Sequence, residues 1–303
     1  MSIDPPSAEL IAVDPASIDP LYEQSGIAWR GDRAEAFSRF LPEETAIAIT
    51  SAGTTHAVMM GTPADLDDFA LGFALSEGAL ASPGELLGIE TLGWEGGIEL
   101  RLSLADDAAA RLAARRRSIA GPVGCGLCGI DSLEQATRRP PAVGRTVSLA
   151  APALARAART LSTHQVLNSV TRAMHAAAFW TPERGITLVR EDVGRHNALD
   201  KLVGALAHRR RLPGDGAIVM TSRLSVELVQ KAAMAGAEVL VGVSLPTALA
   251  VRVAEAADLS LVGLARGEGF EVFTHPDRLQ FDDPARAHRT VLQRPASPEH
   301  VLS

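Results

Sequence analysis

The C-terminal half of the chain alternates short apolar runs with stretches in which apolar residues recur every three or four positions. Uninterrupted apolar runs are typical of strands buried on both faces, and the longer period is typical of amphipathic helices. The predicted strands are GITLVRE (185–191), GAIVMTS (216–222), EVLVGVS (238–244) and LSLVGLA (259–265), and the predicted helices are RHNALDKLVGALAHR, SVELVQKAAMAG and PTALAVRVAEAA. A further helical stretch is predicted around 150–180. This alternation predicts an α/β domain over 146–303, with a parallel sheet covered by helices on both faces.

Shorter elements are predicted in the N-terminal half. TAIAIT (45–50) and THAVMM (55–60) read as two strands around a turn, and a second hairpin is predicted over 88–103. Apolar residues at helical spacing predict a helix over 62–78, with Thr62 as its cap and Pro63 at its first position. DDAAARLAARRRS (106–118) predicts another helix. We therefore expect a smaller α+β portion over 41–145, preceded by a weakly structured arm over 1–40 that is rich in Pro and Asp.

Composition narrows the class of protein. The chain has 303 residues and a formal net charge of −7, which argues against general nucleic-acid binding because phosphates require an excess of Lys and Arg. The N-terminus does not resemble a signal peptide, and charged residues interrupt the apolar stretches well before the ~18 residues of a membrane span. We expect a cytoplasmic protein with no nucleic-acid or membrane partner. In that compartment, paired thiols are more often catalytic or metal-binding than structural.

Polar residues follow the predicted strands, at the sheet edge where α/β proteins bind ligands. They are Asp192, Arg195, His196, Asn197, Ser222, Arg223, Ser244, Thr247 and Arg266. The recurring arginines suit phosphate, because a guanidinium forms fixed, often bidentate hydrogen bonds to phosphate oxygens. The residue types therefore predict a site for a phosphate-bearing small molecule, although Asp192, Asn197 and Thr247 taken singly could serve only as helix caps. His196 and His175, the latter on the predicted helix around 150–180, are ambiguous between structural and functional roles.

Both cysteines of the chain lie in one loop, GCGLCG (124–129). Cys125 and Cys128 could form a redox disulfide, supply half of a zinc site, or carry a sulfur atom. Two thiols supply only half of a tetrahedral zinc site, so a complete site would need His or Asp ligands or the cysteine pair of a second subunit. Spacing does not decide between the three chemistries.

Several segments resemble the FdhD family of sulfur carriers. They are TPADLDDFALGFALSEG (62–78), GCGLCG (124–129), REDVGRHNALDKLVG (190–204), TSRLSVELVQKAAMAG (221–236), SLPTALAV (244–251) and GLARGEGFEVFTHPDRL (263–279). The resemblance implies a three-layer α/β/α fold like that of cytidine deaminases, with the smaller α+β portion at the N-terminus, and a homodimer. It also implies a sulfurtransferase that takes sulfur from a cysteine desulfurase as a persulfide. The recipient of that sulfur would be the bis-molybdopterin guanine dinucleotide molybdenum cofactor, before its insertion into formate dehydrogenase.

The resemblance also assigns roles to residues. Cys125 would carry the persulfide, and Cys128 would be an accessory thiol. The cofactor-binding segment would be Ala265, Arg266, Gly267, Glu268, Gly269 and Phe270. It is expected on the same edge as the loop EDVGRHN (191–197) and Ser222-Arg223. One departure is the segment Thr171–His175, which keeps the histidine but lacks the glycine pair of the family's Thr-Gly-Gly-x-His pattern. Two other functions stay open, namely a cofactor-binding chaperone without sulfur chemistry and a dimer with a zinc shared by two cysteine loops.

Overall fold

The computed structural model describes residues 11–116, 139–211 and 213–281, which form a mixed α/β structure. The N-terminal elements are β1 (Ala12–Val13), β2 (Leu21–Arg30), β3 (Arg33–Pro42), β4 (Thr45–Ser51), β5 (Thr54–Gly61), α1 (Leu66–Ser76), β6 (Leu86–Trp94), β7 (Gly97–Leu104) and α2 (Asp106–Arg116). The C-terminal elements are β8 (Leu149–Ala150), α3 (Ala151–Thr160), α4 (Val166–Thr171), β9 (His175–Thr181), β10 (Gly185–Asp192), α5 (Arg195–His208), β11 (Ala217–Met220), α6 (Val226–Met234), β12 (Val239–Gly242), α7 (Ala248–Ala256), β13 (Ser260–Arg266), β14 (Gly269–Val272) and β15 (Leu279–Gln280). Within the described ranges, no helix has both the length and the apolar character that crossing a membrane requires.

The N-terminal portion is built on a five-stranded sheet in the order β1-β6-β7-β4-β5. Both predicted hairpins are present, since β4 pairs with β5 and β6 pairs with β7 in antiparallel register. A parallel pairing of β4 with β7 joins the two hairpins. Ile47 and Ile49 of β4 share a buried core with Phe69 of α1, which is the face that the alternating pattern of the strand predicts.

Residues 21–42 correct the prediction of a weakly structured arm up to residue 40. Strands β2 and β3 pair along their whole length as an antiparallel hairpin, from the Leu21–Pro42 pair to the Arg30–Arg33 pair. The sequence pattern does not reveal this hairpin because its residues are exposed on both faces, so no buried face imposes a clear alternation. The residues before position 11 lie outside the described part of the chain.

Helix α1 begins later than its sequence predicts. Its N-cap is Asp65, which has a left-handed backbone conformation with φ of 53°. Thr62 instead donates its backbone N–H to Asp192 Oδ2 at 3.0 Å, and its hydroxyl accepts the N–H of Val193 at 3.1 Å. The prediction of Thr62 as the cap, with Pro63 at the first helical position, is wrong because this long-range contact holds the segment outside the helix.

The C-terminal sheet has six strands in the order β10-β9-β11-β12-β13-β14. Strands β11, β12 and β13 are parallel, as predicted, but β9 is antiparallel to both of its neighbours and β14 is antiparallel to β13. The sheet is therefore mixed, which corrects the prediction of a parallel sheet. His175 opens β9 and does not lie on a helix, because pairing with β10 and β11 overrides the helical preference of its alanine-rich sequence.

Helices cover both faces of this sheet. Ile218 and Met220 of β11 pack with α5, α6 and α7, whereas Ala217 and Val219 of the same strand pack with α3 on the opposite face. The alternation of successive side chains across a strand thus divides the core into two apolar layers. Helices therefore pack on both faces of the sheet, as the sequence pattern predicts, while the three-layer likeness to cytidine deaminases stays a prediction.

Two glycines let α1 of the N-terminal portion pack closely against α5 of the C-terminal domain. A Cβ atom on Gly72 would lie 1.7 Å from the backbone oxygen of Asp200, and one on Gly204 would lie 1.9 Å from that of Asp68. Next to this contact, the buried Asp200 accepts hydrogen bonds from Ser76 Oγ at 2.5 Å and from Lys231 Nζ at 2.9 Å. Backbone contact and a buried polar network together fix the N-terminal portion to the domain that carries the sheet edge described next.

Candidate functional site

The predicted site residues do gather at one edge of the C-terminal sheet. Strands β10 and β11 are both antiparallel to β9, so they run in the same direction. Strands β12 and β13 are parallel to β11, and therefore β10, β11, β12 and β13 all end at the same edge. Asp192 ends β10, Ser222 and Arg223 follow β11, Ser244 follows β12, and Arg266 ends β13. The antiparallel strand β9 starts at this edge and adds His175, which is paired with Asp192.

Asp192 is the structural centre of the loop between β10 and α5. Its Oδ1 accepts the backbone N–H of Gly194 at 2.7 Å and the side-chain amide of Asn197 at 3.0 Å. Its Oδ2 accepts the N–H of Thr62 and lies 2.7 Å from Lys201 Nζ. Neither Asp192 nor Lys201 has an exposed side chain. Its carboxylate has no open face for a ligand, so the geometry gives Asp192 a positioning role.

Asn197 and Lys201 extend this structural role to the N-terminal portion. Asn197 Nδ2 donates to the backbone oxygen of Met60 at 2.8 Å, and Lys201 Nζ donates to that of Thr62 at 2.9 Å. A buried lysine is costly unless it is paired and hydrogen-bonded, and here it is both. Sequence reasoning missed Lys201 because its local pattern is that of an ordinary amphipathic helix.

His196 faces a carboxylate at the start of α6. Its Nε2 lies 3.7 Å from Glu227 Oε2 and 3.5 Å from Ser225 Oγ. Burial on its own would raise the pKa of Glu227, but hydrogen bonding with His196 and Ser225 outweighs burial and lowers that pKa to about 2. Glu227 is therefore ionised at neutral pH. Sequence reasoning missed this residue, although an acidic side chain in the first turn of a helix is a recognisable signal.

His175 is half-buried beside positive charge. Burial lowers the pKa of His175 below its ordinary value of 6.5, and the charges of Arg195 and His196 lower it further. Its imidazole is consequently neutral at pH 7, with one nitrogen able to accept and the other able to donate a hydrogen bond. The sequence alone left this histidine ambiguous between a structural and a functional role, and only the fold brings it to the site edge.

Three arginines lie along the edge without an acidic partner. Within the described ranges, no ion pair or hydrogen bond involves the guanidinium of Arg195, Arg223 or Arg266, and the Nε of Arg195 is buried without a hydrogen-bond partner. Elsewhere, Arg190 and Arg278 each pair with a carboxylate. Because β10 and β13 are four strand spacings apart in the sheet order, the three arginines span about 19 Å of the edge.

Other predicted residues of this edge have structural partners. Ser222 is buried and its Oγ donates to the backbone oxygen of Arg223 at 3.0 Å. Thr247 caps α7 by accepting the N–H of Ala250 at 3.2 Å, which confirms the capping interpretation for this residue. Ser244 accepts the N–H of Leu264 on its backbone oxygen. These contacts shape the loops that carry the arginines.

The segment from Ala265 to Phe270 forms the turn between β13 and β14. Arg266 pairs with Gly269, so Gly267 and Glu268 form the tip, where Gly267 has φ of 64°. Arg266, Gly267, Glu268 and Gly269 are exposed, and Glu268 lies 3.8 Å from Arg159. Ala265 is buried in the sheet core, and Phe270 packs against the same core. The accessible part of this predicted segment is thus its four-residue tip.

The cysteine loop is not among the described residues, so Cys125 and Cys128 stay sequence predictions. Among the residues that the structure does describe, no three His, Cys, Asp or Glu side chains gather where they could hold a metal ion.

The chain is similar in sequence to a known protein family and to several named proteins. The family model described as the FdhD/NarQ family matches residues 42–280. The chain is 49% identical to the Sulfur carrier protein FdhD of Agrobacterium fabrum over 242 residues, which cover 80% of this chain and 89% of that protein. It is 50% identical to the protein of the same name from Variovorax paradoxus over 253 residues, covering 82% and 91% of the two chains.

A solved structure supports the fold. A crystal structure from Desulfotalea psychrophila, described as a formate dehydrogenase accessory protein, matches with a TM-score of 0.66 and 22% identity, covering 86% of this chain and 100% of that one. At this identity the likeness concerns the fold alone. The family model covers more than half of the chain and the relatives are far above 30% identical, and on these grounds the chain belongs to the FdhD/NarQ family.

Proposed function

We propose that this protein is a sulfur carrier, a sulfurtransferase that takes sulfur from a cysteine desulfurase and passes it to the bis-molybdopterin guanine dinucleotide molybdenum cofactor before insertion into formate dehydrogenase. The observation that carries the proposal is the row of arginines along one sheet edge that have no acidic partner among the described residues, in a chain that matches relatives named sulfur carrier proteins. We further propose that the protein is a cytoplasmic homodimer and that its C-terminal domain has a fold like that of cytidine deaminases.

The edge has the donors that a diphosphate requires. Arg195, Arg223 and Arg266 provide positive charge, and no carboxylate in the part of the chain that the structure describes pairs with them. Helix α5 begins at the same edge, with no side-chain hydrogen bond at its N-cap and no acidic residue in its first turn, so its first backbone N–H groups can bind phosphate oxygens. A span of about 19 Å suits an extended dinucleotide better than a single phosphate.

The histidines of the edge suit the rest of the substrate. Neutral His175 can accept or donate a hydrogen bond without adding charge beside Arg195. The carboxylate of Glu227 lies 3.7 Å from His196 Nε2, so this ring faces a negative charge. Asp192 and Lys201 act beneath these residues by holding the loop that presents them.

Sulfur transfer is proposed in two steps that balance in atoms and electrons. The Cys125 thiolate attacks the terminal sulfur of the desulfurase persulfide, the sulfur–sulfur bond of the donor breaks, and the donor cysteine leaves as a thiolate. The Cys128 thiolate then attacks the inner sulfur of the Cys125 persulfide, which forms a disulfide and releases hydrosulfide as the ligand for the cofactor's metal. A cellular dithiol reductant must afterwards reduce the disulfide.

The sulfur step is tested by mass spectrometry of the intact protein after incubation with a cysteine desulfurase and cysteine. We expect one added sulfur on Cys125, none in Cys125→Ser, and a longer-lived adduct in Cys128→Ser. No added sulfur on the wild-type protein would remove the transfer step. Normal formate dehydrogenase activity in cells that carry only Cys125→Ala would favour the chaperone, and about half an equivalent of bound zinc per chain would favour the shared metal site.

The binding edge is tested separately with guanosine diphosphate. Arg223→Ala should weaken its binding about 10- to 100-fold, because a hydrogen bond to a charged group contributes about 1.5–3 kcal/mol. Arg184 is the matched control, since it is an exposed arginine in the turn between β9 and β10 at the opposite edge. An unchanged dissociation constant for Arg223→Ala, or an equal loss for Arg184→Ala, would show that the site is misplaced.

A further inference from the structure

Strand β13 contains a β-bulge just before Arg266. The pair of Gly263 with Glu271 is followed along the hairpin by the pair of Arg266 with Gly269, so two residues of β13 lie opposite one residue of β14. A bulge re-aims the side chains that follow it, and bulges are over-represented next to active sites. This bulge therefore bears on the direction of one of the three arginines of the site edge.

Leu264 forms the bulge by adopting a left-handed backbone conformation with φ of 50°. Glycine adopts this conformation freely, whereas a leucine in it is strained. The N–H of Leu264 donates to the backbone oxygen of Ser244 in the loop after β12, at 3.2 Å. A strained leucine persists only where the surrounding structure fixes its backbone.

The neighbouring loops fix this segment. A Cβ atom on Gly263 would lie 2.9 Å from Pro246 Cδ, so a side chain at this position would push β13 away from the loop after β12. That loop is joined in turn to the loop after β11, because Thr247 donates its N–H to the backbone oxygen of Leu224 at 3.0 Å. Leu224 directly follows Arg223. The bulge is thus tied to the loop that carries a second arginine of the edge.

The bulge decides on which face of the sheet Arg266 lies. Ala265 and Phe270 both pack in the apolar layer beneath α3. Successive side chains of a strand point to opposite faces, and directly paired residues of antiparallel strands share a face. Arg266 follows Ala265 and pairs with Gly269, so it lies on the face that α5, α6 and α7 cover. In a regular strand Leu264 would pair with Phe270, and Arg266 would point to the α3 face instead.

The other two arginines belong to the same face. Arg195 opens α5, and Arg223 lies in the loop that leads into α6. We infer that Leu264 is a positioning residue for phosphate binding, because its left-handed conformation turns Arg266 to the face where Arg195 and Arg223 lie. The inference rests on the proposed function of this edge, and it adds to that function a residue that acts only through Arg266.

Titration of guanosine diphosphate into the full chain tests the inference. Valine at position 264 disfavours the left-handed conformation, so Leu264→Val should make the strand regular and raise the dissociation constant about 10-fold or more, as for the loss of a hydrogen bond to a charged group. Ala52→Val is the matched control, because the exposed Ala52 has φ of 49° in the turn between β4 and β5, at the end of β5 opposite to Met60 and the site edge. It introduces the same backbone strain and should leave the dissociation constant unchanged.

Leu264→Gly is the rescue variant. Glycine keeps the left-handed conformation without strain, so this variant should fold and bind guanosine diphosphate within about 3-fold of the wild type. A loss of about 10-fold or more in Leu264→Gly would overturn the inference, since the leucine side chain itself would then be what matters. Because glycine relieves strain, this test holds even where Leu264→Val does not fold.

A double-mutant cycle shows whether Leu264 acts through Arg266. Arg266→Ala alone should weaken the binding about 10-fold or more, and Leu264→Val added to it should cause no further loss. Additive losses would overturn the inference, because they would mean that Leu264 affects the ligand by another route.

Nuclear Overhauser effects between backbone protons of β13 and β14 report the strand pairing without a ligand. The wild type and Leu264→Gly should show contacts between Arg266 and Gly269, and Leu264→Val should replace them with contacts between Ala265 and Gly269. Unchanged contacts in Leu264→Val would overturn the inference. A wild-type chain that does not bind guanosine diphosphate would contradict the proposed binding edge, and the pairing would still decide what Leu264 does to Arg266.

Discussion

Replacing Lys201 by methionine tests the claim that the Asp192–Lys201 pair builds the site edge from within. Methionine matches the lysine stem in length but leaves the Asp192 carboxylate buried without its countercharge, which lies 2.7 Å away in the native protein. It also removes the donor to the backbone oxygen of Thr62. Removing one partner of a buried pair costs about 3–5 kcal/mol, and full burial of both side chains places this variant in that range.

The measurement is urea unfolding followed by circular dichroism, with the midpoint and slope fitted together. The control is Arg145→Met, which removes an exposed ion pair with Asp258 and should cost less than about 1 kcal/mol. In a double-mutant cycle with Asp192→Asn, the double variant should be more stable than the sum of the single effects by about 1–3 kcal/mol. A loss below 1 kcal/mol for Lys201→Met, or additive effects in the cycle, would refute the positioning role.

Two further predictions concern packing and pH. Gly72→Ala should destabilise the protein strongly, because the new Cβ would lie 1.7 Å from the backbone oxygen of Asp200. Gly96→Ala is the control and should change the unfolding midpoint little, because a Cβ there has no atom within 4 Å. Equal midpoints for the two variants would contradict the close helix contact. Glu227 has its pKa lowered from 4.5 to about 2, so its stabilising charge is fully present above pH 4.5 and is lost as the pH falls through about 2. Glu227→Gln should therefore flatten the pH dependence of stability in that window, and an unchanged dependence would show that the carboxylate is not held by His196 and Ser225.

The sequence is sufficient to predict the elements whose patterns are local. The C-terminal strands are continuous apolar runs because both faces of the sheet are buried, and the intervening helices have a three- to four-residue period because each covers one face. The ends of these strands could be aligned from sequence, since parallel strands end at one edge. This places the three arginines together before any coordinate is known.

Other features depend on contacts between distant segments, which leave no local period. Thr62 meets Asp192 across 130 positions, and this contact decides both where α1 begins and why the Asp192 carboxylate is closed to a ligand. The insertion of β9 as an antiparallel strand brings His175 to the edge, which no pattern in an alanine-rich segment indicates.

The sequence by itself determined the α/β class, the two N-terminal hairpins of the five-stranded sheet and the edge on which polar residues collect, because periodicity records which face of an element is buried. Tertiary structure alone decided which of those polar residues are structural and which are open. The side chains of Asp192 and Asn197 already form hydrogen bonds within the protein. In contrast, Arg195, Arg223 and Arg266 have no acidic partner in the described ranges. The physical reason is that a side chain's availability depends on the donors and charges around it in space, and these come from segments far away in the chain.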